Sequence, residues 1–222
     1  MAREPDDTRT EQETPLSFAD QPETSHAHKR LMYELFVLGE LMDGPHHGYQ
    51  LREILSRLLG PFRQISWGML YPLIRQLARE GLVTSEGEQT AEEREQAGTT
   101  GRSRKPYVIT ATGRERFYDL MLEQGDYSAE YRELFRIKLN NFDYLSADQQ
   151  LTVLWQYRGF LQVEDLYLSG GQQKVLANPR IPERHRAHIL RILSFRWSSI
   201  HSETRWIDEQ IQRLEEETDE TL

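Results

Sequence analysis

The stretch from Trp67 to Leu82 limits what this chain can fold into more than any other. It reads as a short amphipathic helix with Ser66 at the N-cap position and Gly81 as its stop. Leu70, Leu73, Ile74 and Leu77 recur at three- and four-residue spacing and share one face, while Tyr71, Arg75 and Arg79 fall towards the other. A helix divided in this way rests on its own domain and offers a phenol and guanidinium groups to something anionic. Leu82 to Thr84 and Tyr107 to Ile109 read as paired strands, and Arg102, Arg104 and Lys105 make a basic tip at the entrance to the second. Helix, strand, basic loop, strand is the order of a winged helix and points to a DNA-binding protein.

Two helices are expected upstream. Leu31, Leu35, Leu38, Leu41 and Met42 mark the apolar stripe of the first, closed by Asp43-Gly44-Pro45. The second begins near Gly48, buries Tyr49, Leu51, Ile54, Leu55, Leu58 and Leu59, and ends at Gly60-Pro61. Pro72 falls in the second turn of the third helix. A proline costs about 3 kcal/mol in a helix interior but less near an N-terminus, where the first amides have no helical partner. It is either simply tolerated there or, with Gly68, opens the first turn so that backbone approaches a phosphate. Between the strands, residues 86–101 lack apolar periodicity and are expected to form a mobile insertion. Thr110 should cap a helix containing Phe117, Leu120 and Met121.

The character changes after about Tyr127. Ser146 and Gln149 make a capping-box pattern ahead of a long helix carrying Leu151, Leu154, Trp155, Leu161 and Leu166, which Gly170-Gly171 is expected to break. A final helix follows Pro179 and Pro182. Along it Leu193, Trp197, Ile200, Thr204, Ile207, Ile211 and Leu214 alternate spacings of four and three, a heptad seam. Such a seam pairs with another helix. Pairing with a second copy is the preferred reading, and pairing with the Leu151 to Leu166 helix of the same chain is the alternative. Both hold if two long helices from each subunit form one bundle.

The net charge of −9 on 222 residues argues against a nucleic-acid partner only until it is located. Residues 1–27 hold seven acids against two arginines, and Glu215, Glu216, Glu217, Asp219 and Glu220 add five more acids, so the rest of the chain is close to neutral. A local basic patch therefore decides phosphate binding. With no cysteine, disulfides and thiolate catalysis are excluded. No apolar run is long enough for a bilayer and no secretory signal is visible, so a cytoplasmic location is expected.

Leu38-Gly-Glu-Leu41, Gly48-Tyr-Gln-Leu51, Ser66-Trp-Gly-Met-Leu-Tyr-Pro72, the Leu77 to Leu82 run and the Tyr107, Thr110, Gly113 spacing together resemble the PadR family of bacterial transcriptional regulators. The likeness covers about Leu31 to Leu120. The second half resembles, more loosely, the subgroup with a long helical C-terminal dimerisation domain. The resemblance implies a homodimeric winged-helix regulator, usually a repressor and often released by a small molecule. It places Ser66, Gly68, Tyr71 and Pro72 at the start of the recognition helix and Arg102, Arg104 and Lys105 in the wing. The long acidic wing insert and the extended N-terminal tail depart from the family pattern.

Phosphate contacts position a protein on DNA and base contacts specify the sequence. Ser66 and the amides near Gly68 suit phosphate, as a helix N-terminus offers free donors and the positive end of a dipole. Tyr71 suits a phosphate or a thymine methyl. Arg75 suits guanine, a phosphate or a salt bridge. Arg63 and Gln64 suit the DNA backbone. The wing cations suit a minor groove or the phosphates beside it, a solvated loop being the plain alternative. His46-His47 and the pair His185, His188 have no ligand set around them that makes a metal site, so capping or solvated histidine is expected, with no cofactor and no catalysis. Trp155, Phe160 and Trp197 are candidates for an effector pocket at the dimer interface, against a plain core role.

The expected fold is mainly α with a small β-hairpin wing, a winged helix-turn-helix followed by a helical, coiled-coil dimerisation domain. Its parts are an acidic disordered tail (1–27), a winged helix (28–125) with a flexible insert (85–103), the dimerisation domain (126–216) and an acidic end (217–222). The expected partners are double-stranded DNA, a second copy and a small-molecule effector, without a membrane. The rival is a winged-helix adaptor that has lost DNA contact and binds proteins through its helical domain.

Overall fold

The computed structural model describes residues 22–60, 67–85 and 106–219. In chain order these form α1 (Pro22–Met42), α2 (Gly48–Leu59), α3 (Trp67–Arg79), β1 (Val83–Ser85), β2 (Tyr107–Ile109), α4 (Ala111–Leu122), α5 (Tyr131–Asn140), a short 3-10 turn (Phe142–Tyr144), α6 (Ala147–Ala177) and α7 (Glu183–Asp219). The elements up to α4 make a winged-helix head, and α5 to α7 make a helical body. α1 starts at Pro22, ahead of the start expected at His28, and α7 runs past residue 216.

α1 is the central helix of the head. Every residue from Met32 to Leu41 is buried, well beyond the single stripe read from its leucines. A helix covered on all sides has to bury polar groups with partners. Glu34 accepts from Arg116 Nε of α4 at 2.9 Å, and Glu40 accepts from Asn140 Nδ2 of α5 at 3.4 Å. Burial first, and then the nearby Asp43, push the Glu40 carboxyl up to about 7.

α2 shows an error of phase in the sequence reading. Leu51, Leu55 and Leu59 are buried, but Tyr49 is 58% exposed and stacks on His47 with centroids 5.5 Å apart. Tyr49 lies about 200° around the helix from Leu51, so the two cannot share a face. His47 is the N-cap of α2, and its backbone amide donates to Gln50 Oε1 at 2.8 Å.

The hairpin pairs Val83 with Ile109, Thr84 with Val108 and Ser85 with Tyr107 in antiparallel register. His46 adds a bridge on the far side of Tyr107, so the α1–α2 connection lies along the sheet edge. Thr110 ties the hairpin to the helices on both sides. Its hydroxyl oxygen accepts from Gly113 N at 3.0 Å, capping α4, and its O–H donates to Gly81 O at 2.7 Å. A Cβ on Gly113 would stand 2.0 Å from Leu82 O, so only glycine allows the head to close here.

The body begins with α5, which the apolar pattern did not reveal. It buries Tyr131, Phe135, Ile137 and Lys138 and contacts α1, α2 and α6. Lys138 Nζ donates to Glu123 O at 2.6 Å and to Gln156 Oε1 at 3.3 Å, while Gln156 Nε2 donates to Leu122 O at 2.7 Å. The carbonyls ending α4 are thus satisfied by side chains of the body, and burial lowers the Lys138 ammonium to about 8. One hydrophobic cluster runs from Met32 through Phe117, Phe135 and Leu154 to Ile211, without a break between head and body.

α6 and α7 form a long antiparallel pair. The Ser146–Gln149 capping box starts α6 as expected. Gly170-Gly171 does not end it, because the helix continues to Ala177. Each glycine costs about 1 kcal/mol relative to alanine, which contacts with α7 along the pair can outweigh. The heptad seam of α7 faces α6 of the same chain. Ile200, Ile207 and Ile211 are buried there, with Leu193, Trp197 and Leu214 partly buried against the same core. The intrachain pairing is therefore made. The outer faces keep apolar side chains exposed, including Leu166 (71%), Tyr167 (69%) and Phe195 (73%).

Candidate nucleic-acid interface

α3 lies against α1, α2 and β1, and its inner face is the one its sequence spacing implies. Leu70, Leu73, Ile74 and Leu77 are all buried. Its end is a Schellman cap: Gly81 N donates to Ala78 O at 3.2 Å and Leu82 N to Leu77 O at 2.9 Å, with Gly81 at φ 74°. That left-handed residue turns the chain directly into β1 and fixes α3 relative to the hairpin.

The outer face carries Gly68, Met69, Pro72, Arg75, Ala78 and Arg79, all exposed. Tyr71 is half-buried at the edge of this face. Its Cε2 lies 3.5 Å from where a Cβ on Gly48 would sit, and the Arg75 guanidinium carbon is 5.5 Å from its ring centroid. Tyr71 is thereby wedged against the start of α2 and supports Arg75 from one side. Pro72 is the sixth residue of α3 and has no amide hydrogen to give Gly68 O, so that carbonyl lacks its usual helical donor. Among the described residues no carboxylate lies within ion-pair distance of Arg75 or Arg79, whereas Gln76 and Arg30 both reach Glu80, at 2.7 Å and 3.4 Å. The surface is cationic, with its two arginines one helical turn apart.

Of the expected DNA-contacting residues, the structure places Gly68, Tyr71, Pro72 and Arg75 together. Arg63, Gln64, Ser66, Arg102, Arg104 and Lys105 lie outside the described residues. Met69, 43% exposed beside Gly68, was missed by sequence reasoning. The signal was available: it stands one position before Leu70 and so falls off the buried face.

The three aromatics read as an effector pocket do not converge within the chain. Phe160 is buried in a ring cluster with Tyr127, Tyr131 and Tyr157, under the Arg132 guanidinium. Trp155 is 49% exposed, with Arg158 over its ring. Trp197 Nε1 donates to Asp165 at 2.7 Å. Trp155 and Phe160 are five residues apart on one helix, which places them on different sides of α6. Around Phe160, Arg132 of α5 holds Glu164 of α6 at 2.5 Å and Glu203 of α7 at 3.1 Å, and Tyr157 donates to Glu203. Burial would lower the Arg132 pKa, but its bonds to Glu164 and the charge of Glu203 outweigh that and raise it. This cluster ties the three body helices together. His185 and His188 are exposed on α7, and among the described residues no helix is long and apolar enough to cross a membrane.

Residues 37–119 match the model of the transcriptional regulator PadR-like family. Three similar solved structures are PadR of Bacillus subtilis with p-coumaric acid, the same protein with operator DNA, and the PadR-like regulator BC1756 of Bacillus cereus. The first is 18% identical and covers 83% of this chain and 99% of its own, with a TM-score of 0.35. The second is 17% identical over 82% and 98%, at 0.34, and the third 20% identical over 83% and 99%, also at 0.34. No curated protein matches the chain. The segment 37–119, which holds α3 and the described strands of the hairpin, is similar to the PadR-like family of transcriptional regulators.

Proposed function

We propose that this chain is a sequence-specific DNA-binding repressor that grips an inverted-repeat operator as a homodimer and is released by a small-molecule effector. One observation carries the reading: α3 buries its leucines and turns Gly68, Pro72, Arg75 and Arg79 outward, with no carboxylate among the described residues beside either arginine. A rigidly seated helix with a cationic outer face fits the major groove, where arginine pairs with guanine O6 and N7. Arg102, Arg104 and Lys105 of the wing add phosphate or minor-groove contacts. The seam of α7 is filled within the chain, so the dimer uses the outer faces of α6 and α7, where Leu166, Tyr167 and Phe195 are exposed. Two heads related by a twofold axis then meet half-sites about one DNA turn, roughly 34 Å, apart. An effector acts by favouring one spacing of the heads over another.

A gel-shift titration on the DNA upstream of the chain's own reading frame tests this. A specific fragment should shift at moderate salt, with a symmetric footprint. If no fragment shifts beyond non-specific competitor, the DNA reading fails and the adaptor reading replaces it.

A further inference from the structure

Where α1, α4, the 123–130 connection and α5 meet, a cavity of about 40 Å3 opens between head and body. Its floor is apolar, made by Met32, Leu35 and Leu120, none more than 5% exposed. Two polar atoms buried in residues that line it, Glu130 Oε2 and His28 Nδ1, have no hydrogen-bond partner among the described residues. Glu130 is only 7% exposed, and its other oxygen is taken by Lys29 Nζ at 3.2 Å. The His28 Nε2 lies 3.8 Å from the exposed Asp126, beyond hydrogen-bond distance, and Nδ1 is the ring nitrogen buried at the cavity. Glu130 Oε2, on a carboxylate paired with Lys29, asks for a donor, and an imidazole nitrogen such as His28 Nδ1 can accept from the same one; a buried polar atom without a partner is costly.

We propose that this cavity binds a small apolar amine, whose ammonium group donates to Glu130 Oε2 and His28 Nδ1 while its hydrocarbon part rests on Met32, Leu35 and Leu120. The donor count selects against a carboxylate ligand, which brings only acceptors. Charge does the same, because Glu123, Asp126 and Glu130 all border the site and its one neighbouring lysine is already bonded to Glu130. The enclosed volume takes the ammonium end and a few carbons, and the exposed rim at Glu123, Gly125 and Asp126 leaves room for the remainder. The walls belong to α1 and α4 of the head and to α5 of the body, so an occupant touches both. As an effector site it rests on the regulator reading above; as a binding site it does not.

The test is calorimetric titration of the full-length protein, without DNA, with n-butylamine, benzylamine, benzyl alcohol and benzoate at neutral pH. An amine should bind saturably, about tenfold tighter than the alcohol, with no heat from benzoate. Glu130→Gln should weaken the amine about tenfold. Leu134→Trp, which fills the cavity and keeps its charge, should abolish binding, with thermal melts confirming that both variants fold. Absence of saturable amine binding means that ordered water alone satisfies the two acceptors, and this overturns the proposal. So does benzoate binding as well as the amine, or both folded variants binding like the parent. None of these outcomes touches the DNA reading, which the gel shift decides separately.

Discussion

Arg75 has its long side chain braced by Tyr71 and its guanidinium facing solvent, so Arg75→Ala removes a contact without disturbing the core. We expect it to weaken operator binding by about 1–3 kcal/mol and to relax selectivity at one base pair of each half-site, measured by competition with single-base operator variants. An equal loss on all sequences would assign Arg75 to phosphate. Glu40 gives a residue-scale pH effect. Its folded value of about 7 exceeds the ordinary 4.5, so the native state holds the proton more tightly. Stability from this group is retained below about pH 4.5 and is lost as pH rises through 7, a difference on the order of 3 kcal/mol. Glu40→Gln should therefore raise the melting temperature at pH 8 and change it little at pH 4.5, and equal shifts at the two pH values would contradict this. At this scale the sequence was legible where one side chain does local work. Thr110 and Ser146 were read as caps and are caps. It was illegible for Glu34, Glu40 and Lys138, since nothing local marks a charged residue that folding will bury against a distant partner.

Amphipathic helices with one buried face were readable from periodicity, and α3 follows its pattern residue by residue. α1 did not, because a central helix buries positions that a stripe leaves out. α5 escaped because Arg132, Glu133, Arg136 and Lys138 interrupt its apolar residues, although Tyr131, Phe135 and Ile137 carry its core contacts. The glycine pair in α6 was misread as a break since local propensity is a weak prior against tertiary contacts. The correction makes a prediction. A Cβ at Gly170 or Gly171 would meet nothing within 4 Å, so Gly170→Ala with Gly171→Ala should stabilise the protein by about 1–2 kcal/mol, read by denaturant unfolding. A destabilised double variant would mean that the pair serves as a hinge. For the wing, Arg104→Ala with Lys105→Ala should reduce the slope of log affinity against log salt by about one to two counterions. An unchanged slope would take the wing off the DNA.

The heptad seam of α7 was recognised, but a helical repeat does not say whether its partner belongs to the same chain. Three-dimensional contacts assign the seam to α6 and leave another surface for assembly. If the outer faces of α6 and α7 join two copies, Leu166→Glu with Phe195→Glu should give a monomer in sedimentation equilibrium. Its helical content should stay unchanged, and its affinity for a full operator should fall towards that for a half-site. A dimer that survives both charges would place the interface elsewhere. The family signature from 37 to 119 was legible because it is local; the junction between head and body was not, because it is assembled from residues distant in sequence, such as Glu40 with Asn140, 100 positions apart, and Leu122 with Gln156, 34 apart. That junction limits how such a molecule can move. With Leu122 and Glu123 carbonyls gripped by Gln156 and Lys138, swivelling a head about the end of α4 would strand those oxygens. In the proposed dimer a pair of such subunits would behave like callipers with welded jaws: the gap across the DNA would change only when the arms shift against each other or when something wedges the weld itself.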